Sequence, residues 1–350
     1  MKIAILLSGG VDSSVALRLL RQEGGHELRA FYLKVWLEEE LSFLGGCPWE
    51  EDLRYARAVC AQAGVPLEVV PLQAEYLEKV VERALDELRA GRTPSPDIFC
   101  NQRIKFGAFL ERVGGEFDRV ASGHYAQIEE RGGAHYLLRA ADPVKDQTYF
   151  LSSLSQGQLR RALFPIGHLR KSEVRRLAHR FDLPTKDRKD SQGICFLGKI
   201  DYRQFVRARL GERRGPVIDT ESGDIIGEHL GVWFHTIGQR HGLGLGGGPW
   251  FVVGKNLDNN ILYVAHQDQE ARRQRRAFTV ARPNWICGPP GSPALEVKLR
   301  HGPETIPCSI HFSKEDHLQV ELECPDPGIA PGQHAVFYAG QVCLGGGVIE

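Results

Sequence analysis

Lys2-Ile-Ala-Ile-Leu-Leu-Ser-Gly-Gly-Val-Asp-Ser-Ser14 begins as an apolar strand and ends in small polar residues, with two glycines between them. Gly9 and Gly10 allow the backbone to approach a ligand closely, and the serines and Asp12 lie where a helix begins. Free backbone amides at a helix start attract an anion. The segment lacks the Lys-Ser/Thr pair of a Walker loop and the G-x-G-x-x-G spacing of a dinucleotide site. We therefore predict a phosphate loop at residues 7–14, the alternative being an ordinary glycine turn.

The composition is that of a globular protein with more than one domain. The chain has 350 residues, of which 42% are hydrophobic and 25% charged, and this excludes disordered and fibrous classes. Lys plus Arg equals Asp plus Glu at 44 each, so a nucleic acid would have to bind local basic patches. Arg207–Arg214 and Arg272–Arg276 are such patches, although a solvated helix face is the commoner explanation of any single charge run.

Two absences in the sequence bear on location and on metals. No apolar stretch approaches the roughly 20 residues of a membrane helix, and Met1 leads directly into a strand, so we expect a cytoplasmic protein without a membrane partner. The eight cysteines include no C-x-x-C pair, so we predict no metal site and no disulfide framework.

Strand and helix patterns alternate along the N-terminal half. The predicted strands after the first are Leu28–Val35, Leu67–Pro71 and Arg119–Ser122, and the helices between them are Glu51–Ala63 and Glu75–Ala90. This alternation predicts a parallel α/β sheet, whose ligands bind beyond the carboxyl ends of the strands. The phosphate loop and the turn Ser122–Tyr125 both fall at that edge.

The pattern changes after the turn-rich stretch Pro216–Gly231 and the glycine-rich stretch Gln239–Trp250. Short strands separated by turns then predict a small antiparallel β-barrel; they are Phe278–Ile286, Leu295–Arg300, Cys308–Phe312, Leu318–Glu323 and Ala335–Leu344. We expect three domains: a catalytic α/β domain at 1–205, a small central domain at 206–275 and the barrel at 276–350.

Two cysteines lie in polar segments. Thr93–Gln102 is a proline-bent loop that places Asp97 and Cys100 just ahead of a helix predicted at Arg103–Arg112. A helix start lowers the pKa of a thiol, and Asp97 is suited to proton transfer; Cys100 as a loop filler and Asp97 as a helix cap are an equally good explanation. Cys195 follows a run of charged residues and Gly193, as in a mobile loop, although packing is the commoner role of a single cysteine.

The motifs taken together resemble the tRNA-specific 2-thiouridylases, the MnmA family of the PP-loop ATP pyrophosphatases. Seven segments, in this order and across nearly the whole chain, carry the resemblance: Leu7-Ser-Gly-Gly-Val-Asp-Ser13, Asp97-Ile-Phe-Cys-Asn101, Ser122-Gly-His-Tyr-Ala126, Asp142-Pro-Val-Lys-Asp-Gln147, Asp190-Ser-Gln-Gly-Ile-Cys-Phe196, Thr236-Ile-Gly-Gln-Arg-His-Gly-Leu-Gly244 and Cys343-Leu-Gly-Gly-Gly347.

The resemblance implies an adenine nucleotide α-hydrolase-like N-terminal domain and assigns roles to residues. Cys195 would carry a persulfide, Cys100 would be the second catalytic thiol, and Asp97 the acid or base. ATP, with Mg²⁺, would contact Leu7, Ser8, Gly9, Gly10, Val11, Asp12, Ser13, Ser14, Leu33 and Gly123. The tRNA would contact Ser95, Pro96, Asp97, His124, Lys145, Asp146, Gln147, Arg300, His301 and Gln341.

The implied reaction replaces the 2-oxygen of the tRNA wobble uridine with sulfur. ATP converts that oxygen into an AMP leaving group, which splits one difficult substitution into two easier steps. The implied partners are tRNA and a persulfide donor such as a cysteine desulfurase or sulfur-relay protein. We expect the protein to be a monomer and to need no tightly bound cofactor. Persulfide attack and released sulfide remain alternative routes. Two other functions explain the phosphate loop alone: an adenylating ligase or amidotransferase acting on an amino acid, and a non-catalytic RNA-binding module.

Overall fold

The N-terminal part is built on a parallel five-stranded sheet. The computed structural model describes residues 1–36, 49–189, 202–269, 274–313 and 316–350. The strands within residues 1–189 are β1 (Lys2–Leu6), β2 (Glu27–Lys34), β3 (Leu67–Pro71), β4 (Arg119–Ala121), β5 (Gln127–Arg131), β6 (Ala134–Leu138) and β7 (Ala162–Leu163). The five-stranded sheet has the order β3-β2-β1-β4-β7, and all four of its pairings are parallel, as the alternation of strands and helices predicts.

Helices cover both faces of this sheet. They are α1 (Val11–Glu23), α2 (Trp49–Ala63), α3 (contiguous segments Gln73–Tyr76, Leu77–Glu82 and Arg83–Arg89), α4 (contiguous segments Pro96–Phe99, Cys100–Ala108 and Phe109–Val113), α5 (Thr148–Leu151), α6 (Gln156–Arg161), α7 (Lys171–Arg180) and α8 (Tyr202–Leu210). Successive side chains of a strand point to opposite faces, so Ile3 and Ile5 of β1 pack in one apolar layer with α1 and α2. Ala4 and Leu6 pack in the other layer with α3 and α4. Strand β1 is therefore buried on both sides.

The start of α4 differs from the sequence prediction. The helix begins at Pro96 with Ser95 as its N-cap, whereas the apolar spacing predicted a start at Arg103. Proline fits the first helical position because its fixed φ suits a helix and its missing N–H would have no partner there. Asp97 therefore lies in the first turn and Cys100 in the second, both inside the helix. The prediction of a loop ahead of the helix was wrong.

The remaining strands form a small sheet and a closed barrel. The small sheet contains β8 (Gly215–Asp219), β9 (Ile225–His229), β10 (Trp250–Asn256) and β11 (Ile261–His266), in the order β10-β11-β8-β9. The barrel strands are β12 (Arg275–Trp285), β13 (Ala294–Lys298), β14 (Ile306–Phe312), β15 (His317–Asp326), β16 (His334–Ala339) and β17 (Val342–Ile349). Strand β12 pairs with both β15 and β17, which closes the barrel and confirms the predicted fold class.

Two features of the barrel were not predicted. The single strand expected at Ala335–Leu344 is the hairpin β16–β17, which turns at Gly340 with a φ of 56°. The hairpin β5–β6 of the N-terminal part joins the barrel sheet, because β6 pairs with β17 through Leu137 and Cys343. The N-terminal and barrel portions are thus linked by backbone hydrogen bonds. No helix in the described ranges is long and apolar enough to span a bilayer.

Candidate active site

The candidate site lies at the carboxyl edge of the parallel sheet, where the strand order reverses. Strand β1 lies between β2 and β4, so the loops that follow β1 and β4 diverge and leave a crevice. The phosphate loop follows β1, and Gly123 follows β4. Leu33 lies at the end of β2, in register with Val70 of β3. The predicted ATP-binding residues therefore come from three adjacent strands of one edge.

The phosphate loop is shaped by close backbone contacts. Gly9 has a φ of 76°, and a Cβ at this position would lie 2.3 Å from the backbone oxygen of Asp52. The hydroxyl groups of Ser8 and Ser13 are 3.2 Å apart, and the Ser14 hydroxyl donates to the Gly10 carbonyl at 2.7 Å. Within residues 1–36, no side chain caps α1, because Gly10 occupies the N-cap position. The start of α1 has the open form that suits an anion.

Gly123 packs directly against the first turn of α1. A Cβ there would lie 2.6 Å from the Ser13 backbone nitrogen and 2.8 Å from the Asp12 carbonyl carbon. Any side chain at position 123 would displace the backbone of α1 at the phosphate loop. The close approach explains why glycine follows β4.

Three side chains that were not predicted hold the phosphate loop. The Tyr125 hydroxyl donates to Asp12 Oδ1 at 2.8 Å, and Lys171 Nζ lies 2.7 and 2.9 Å from the two carboxylate oxygens of Asp12. The Arg188 guanidinium donates to the Gly9 carbonyl at 2.7 Å and to Asp52 at 2.8 Å. Lys171 is the first residue of a helix that follows a sheet strand, a position at the same edge as the loop. That signal was missed because β7 has only two residues.

Asp97 and Cys100 lie on α4 beside α5. Cys100 is 3% exposed, and its neighbour Asn101 donates to the Phe150 carbonyl at 3.0 Å. Arg103, three residues after the thiol on α4, donates to the Lys79 carbonyl and stacks on Phe99. Cys100 is thus a buried helical thiol and not the loop thiol that the sequence predicted. Cys195 falls outside the described residues.

Ser95 and Pro96 form the start of α4. Ser95 hydrogen bonds to the hydroxyl of Tyr149, which also donates to the His334 carbonyl at 3.0 Å. Burial raises the pKa of Tyr149 well above its ordinary value, so this phenol is a hydrogen-bond donor at neutral pH. The start of α4 is therefore held in place by α5 and the barrel.

His124 lies beneath the sheet edge in an apolar setting. Its Nδ1 is 2.7 Å from the Ser122 hydroxyl, and its ring packs against Phe106 and Phe164. Burial, and to a lesser extent the charge of Lys105, holds the pKa of His124 well below its ordinary value. The imidazole is neutral at pH 7, so in this conformation it offers no charge to a phosphate.

The predicted tRNA segment Lys145–Gln147 contains a buried ion pair. Asp146 accepts from Lys298 Nζ of strand β13 at 3.0 Å, and these side chains are 2% and 1% exposed. Asp146 also accepts from the Thr148 hydroxyl at 2.9 Å. Gln147 accepts from the Tyr125 backbone N–H at 2.9 Å. In this conformation Asp146 anchors the segment to the barrel and presents no surface to a ligand.

The barrel residues predicted to touch tRNA occupy different settings. Arg300 donates to both oxygens of Asp326, at 2.9 and 2.8 Å, and this ion pair raises the pKa of the guanidinium. His301 stacks on Phe150 with 4.6 Å between ring centroids, and burial lowers its pKa. Gln341 is exposed at the β16–β17 turn. Through this stacking His301 contacts α5 of the N-terminal part.

The described residues contain no group of three or more His, Cys, Asp or Glu side chains arranged to hold a metal ion. A magnesium ion that arrives with a nucleotide is held mainly by phosphate oxygens and one or two carboxylates. Asp12 is the carboxylate nearest to the start of α1 in sequence, and Tyr125 and Lys171 already bind it. The sheet edge, the uncapped helix and Gly123 define a nucleotide-binding α/β protein of the PP-loop class.

Comparisons with known proteins assign the family. Residues 1–199 match the family model described as tRNA methyl transferase HUP domain, 203–266 its PRC-barrel domain, and 275–349 the aminomethyltransferase beta-barrel domain. A tRNA-specific 2-thiouridylase MnmA 2 of Bacteroides fragilis is 46% identical over all of both chains. A tRNA-specific 2-thiouridylase MnmA of Parabacteroides distasonis is 43% identical over 100% of this chain and 99% of its own. The chain belongs to the tRNA-specific 2-thiouridylase family.

Solved structures show a weaker likeness. The U34-tRNA thiolase NcsA from Methanococcus maripaludis, solved with its [4Fe-4S] cluster, is 18% identical, covers 60% of this chain and 64% of its own, and has a TM-score of 0.36. A likeness at this level bears on neither the fold nor the function.

Proposed function

We propose that the protein catalyses the ATP-dependent 2-thiolation of the wobble uridine of tRNA, releasing AMP and pyrophosphate. The observation that most supports this is the family relationship over the entire length of both chains at 46% identity. The uncapped start of α1 behind the phosphate loop supplies the nucleotide site that the reaction needs. An amino-acid ligase would share the loop but would have no use for the central domain and the barrel.

The first step activates the uridine. In this proposal the amides at the start of α1, with Ser8 and Ser13, hold the ATP phosphates, and Gly123 lets the turn after β4 approach the helix backbone beside them. The uridine O2 attacks the α-phosphorus, the bond between the α and β phosphates breaks, and pyrophosphate leaves. Asp97, in the first turn of α4, is the group we assign to proton transfer at the base. The base must leave the anticodon stack, which costs a few kcal/mol and least in a single-stranded loop.

The second step delivers sulfur. Cys195, outside the described residues, would carry a persulfide whose terminal sulfur attacks C2 of the adenylated uridine, and AMP leaves with the former O2. In one route the Cys100 thiolate then attacks the Cys195 sulfur, which yields 2-thiouridine and a Cys100–Cys195 disulfide. In the other route Cys100 first releases the terminal sulfur as sulfide, which attacks C2. Both routes end in the same disulfide, which an external thiol must reduce before the next turnover.

The burial of Cys100 constrains this scheme. A thiol that is 3% exposed is protected from bulk oxidants, and the α4 backbone that carries it is fixed by Asn101 and Gln102, which donate to carbonyls of residues 150 and 153. Attack on sulfur therefore requires the partner thiol to reach the α4 surface. We further propose a persulfide-carrying protein as donor, Mg²⁺ with the ATP, a monomer, and a cytoplasmic location.

The test is mass spectrometry of the tRNA wobble nucleoside after incubation with ATP and a persulfide donor. We expect 2-thiouridine with ATP and none without it, and we expect Cys195→Ser to abolish the product. Cys324→Ser is the matched control, because Cys324 is exposed on the barrel strand β15 and should leave activity unchanged. Thiolation by the Cys195→Ser variant would contradict the persulfide assignment. ATP cleavage stimulated by an amino acid and indifferent to tRNA would favour the ligase alternative.

A further inference from the structure

Asp12 of the phosphate loop is connected to the loop Asp142–Gln147 through Tyr125. The Tyr125 hydroxyl donates to Asp12 Oδ1 at 2.8 Å. The Tyr125 backbone N–H donates to Gln147 Oε1, and its carbonyl accepts from the Gln147 backbone N–H, both at 2.9 Å. One residue thus contacts the phosphate loop with its side chain and Gln147 with its backbone.

Lys171 makes a second connection of the same form. Its ammonium lies 2.7 and 2.9 Å from the carboxylate oxygens of Asp12. Its backbone N–H, at the start of α7, donates to Asp142 Oδ2 at 2.9 Å. The other oxygen of Asp142 accepts the backbone N–H groups of Val144 and Lys145 at 3.1 and 3.3 Å. Burial alone would raise the pKa of Asp142, but these three hydrogen bonds together outweigh it and the pKa is lowered.

Both connections are embedded in a packed setting. Tyr125 is 2% exposed and belongs to the apolar cluster that holds α1 against α7 through Val11, Val15 and Val174. Close-packed interiors transmit displacements instead of absorbing them. The far side of the 142–147 loop is fixed to the barrel by the buried ion pair of Asp146 with Lys298. A displacement of this loop therefore acts on Asp12 through Tyr125 and Lys171.

We propose that Tyr125 and Lys171 are positioning residues that couple occupation of the 142–147 loop by tRNA to the geometry of Asp12 in the phosphate loop. The inference rests on the proposed function, since it takes tRNA as the ligand of the 142–147 loop and ATP as the ligand of the phosphate loop. Val144 is 64% exposed at this loop, so the loop is open to a large ligand. In this scheme the phosphate loop binds ATP in its reactive geometry only when the tRNA that carries the uridine is bound.

Thermodynamic linkage makes the proposal measurable. If tRNA changes the affinity for ATP by some factor, ATP changes the affinity for tRNA by the same factor. The readout is the ratio of two dissociation constants for α,β-methylene-ATP, one measured without tRNA and one with saturating tRNA that lacks the thiolation. This analogue cannot be cleaved between its α and β phosphates. The loss of charge at residue 171 weakens nucleotide binding in both measurements, so its direct effect on the dissociation constant cancels in the ratio.

In the protein without substitutions we expect tRNA to tighten analogue binding by about fivefold or more, and fivefold is the lower end of common coupling factors. In Tyr125→Phe and in Lys171→Met the ratio should fall toward one. Tyr263→Phe and Lys186→Met are matched controls that make the same chemical changes on β11 and in the exposed pair with Asp182, and both should keep the original ratio. The two test variants act at different residues, so a folding defect in one leaves the other as the test.

An unchanged ratio in a folded Tyr125→Phe or Lys171→Met variant would overturn the proposal, and the two contacts would then only fasten α1 to α7. A ratio of one in the unmodified protein would overturn it as well. Formation of 2-thiouridine by the same preparation separates the two claims. Product with an unaltered ratio refutes the coupling alone, whereas absence of product refutes the proposed function.

Discussion

Replacing Gly123 with alanine should weaken ATP binding through a contact that the structure defines closely. The added Cβ would lie 2.6 Å from the Ser13 nitrogen, about 0.8 Å short of the 3.4 Å at which ordinary contact begins. The obstructing atoms are backbone, so relief requires movement of the first turn of α1 or of the turn after β4. Overpacking of this kind costs about 1–3 kcal/mol. If binding must reverse the displacement, the dissociation constant for ATP rises about 5- to 150-fold.

Calorimetric titration with α,β-methylene-ATP measures this effect, and two other glycines supply controls. Gly115→Ala meets nothing within 4 Å and should change neither stability nor binding. Gly215→Ala places a Cβ 2.0 Å from the Asn260 carbonyl oxygen in the central sheet, so it should lower the melting temperature without changing analogue affinity. A Gly123→Ala protein that binds the analogue with unchanged affinity would refute the argument that this glycine exists for the approach of β4 to the phosphate loop.

Two further predictions concern buried ionisable side chains. Lys298→Met should destabilise the protein by about 3–5 kcal/mol in urea unfolding, because it strands the Asp146 carboxylate without its partner; adding Asp146→Asn should restore part of the loss, and equal stability of the single and double variants would contradict this. His334 has its pKa lowered to about 4 by burial, so it is neutral when folded and the unfolded chain binds one more proton between that pH and about 6.5. Stability should therefore fall as the pH decreases across this window, by up to about 1.4 kcal/mol per pH unit, and His334→Gln should flatten the slope whereas the exposed His241→Gln should not.

Local patterns were sufficient for most of the N-terminal sheet. Strand β3 coincides with the predicted Leu67–Pro71, and β2 differs from its prediction by one residue at each end. These strands are apolar runs bounded by turns and alternate with helices whose buried residues recur at helical spacing, and both signals are contained within a few residues. The domain limits at 205 and 275 and the assigned site residues remain predictions.

The errors occurred where sequence patterns are ambiguous or where contacts are distant. An apolar run across Ala335–Leu344 gives a continuous strand signal, although the chain reverses at Gly340 and Gln341. Pro96 is typical both of a bent loop and of the first helical position, so local pattern cannot decide between them. The partners of Asp12 lie 113 and 159 residues away along the chain, and only the folded sheet brings them to one place.

The distance between Asp12 and its partners has a chemical consequence. A carboxylate in the first turn of a helix is stabilised by the helix dipole, but it repels the phosphate that the same turn attracts. A Walker loop carries its own lysine next to the phosphate, whereas this loop has none, and the cation that compensates Asp12 is Lys171 on α7. The charge of the phosphate site therefore depends on the placement of α7, whose first N–H is held by Asp142. A loop with its own cation carries that charge wherever α7 lies, whereas in our proposal this loop makes nucleotide binding conditional on the segment that is predicted to touch tRNA.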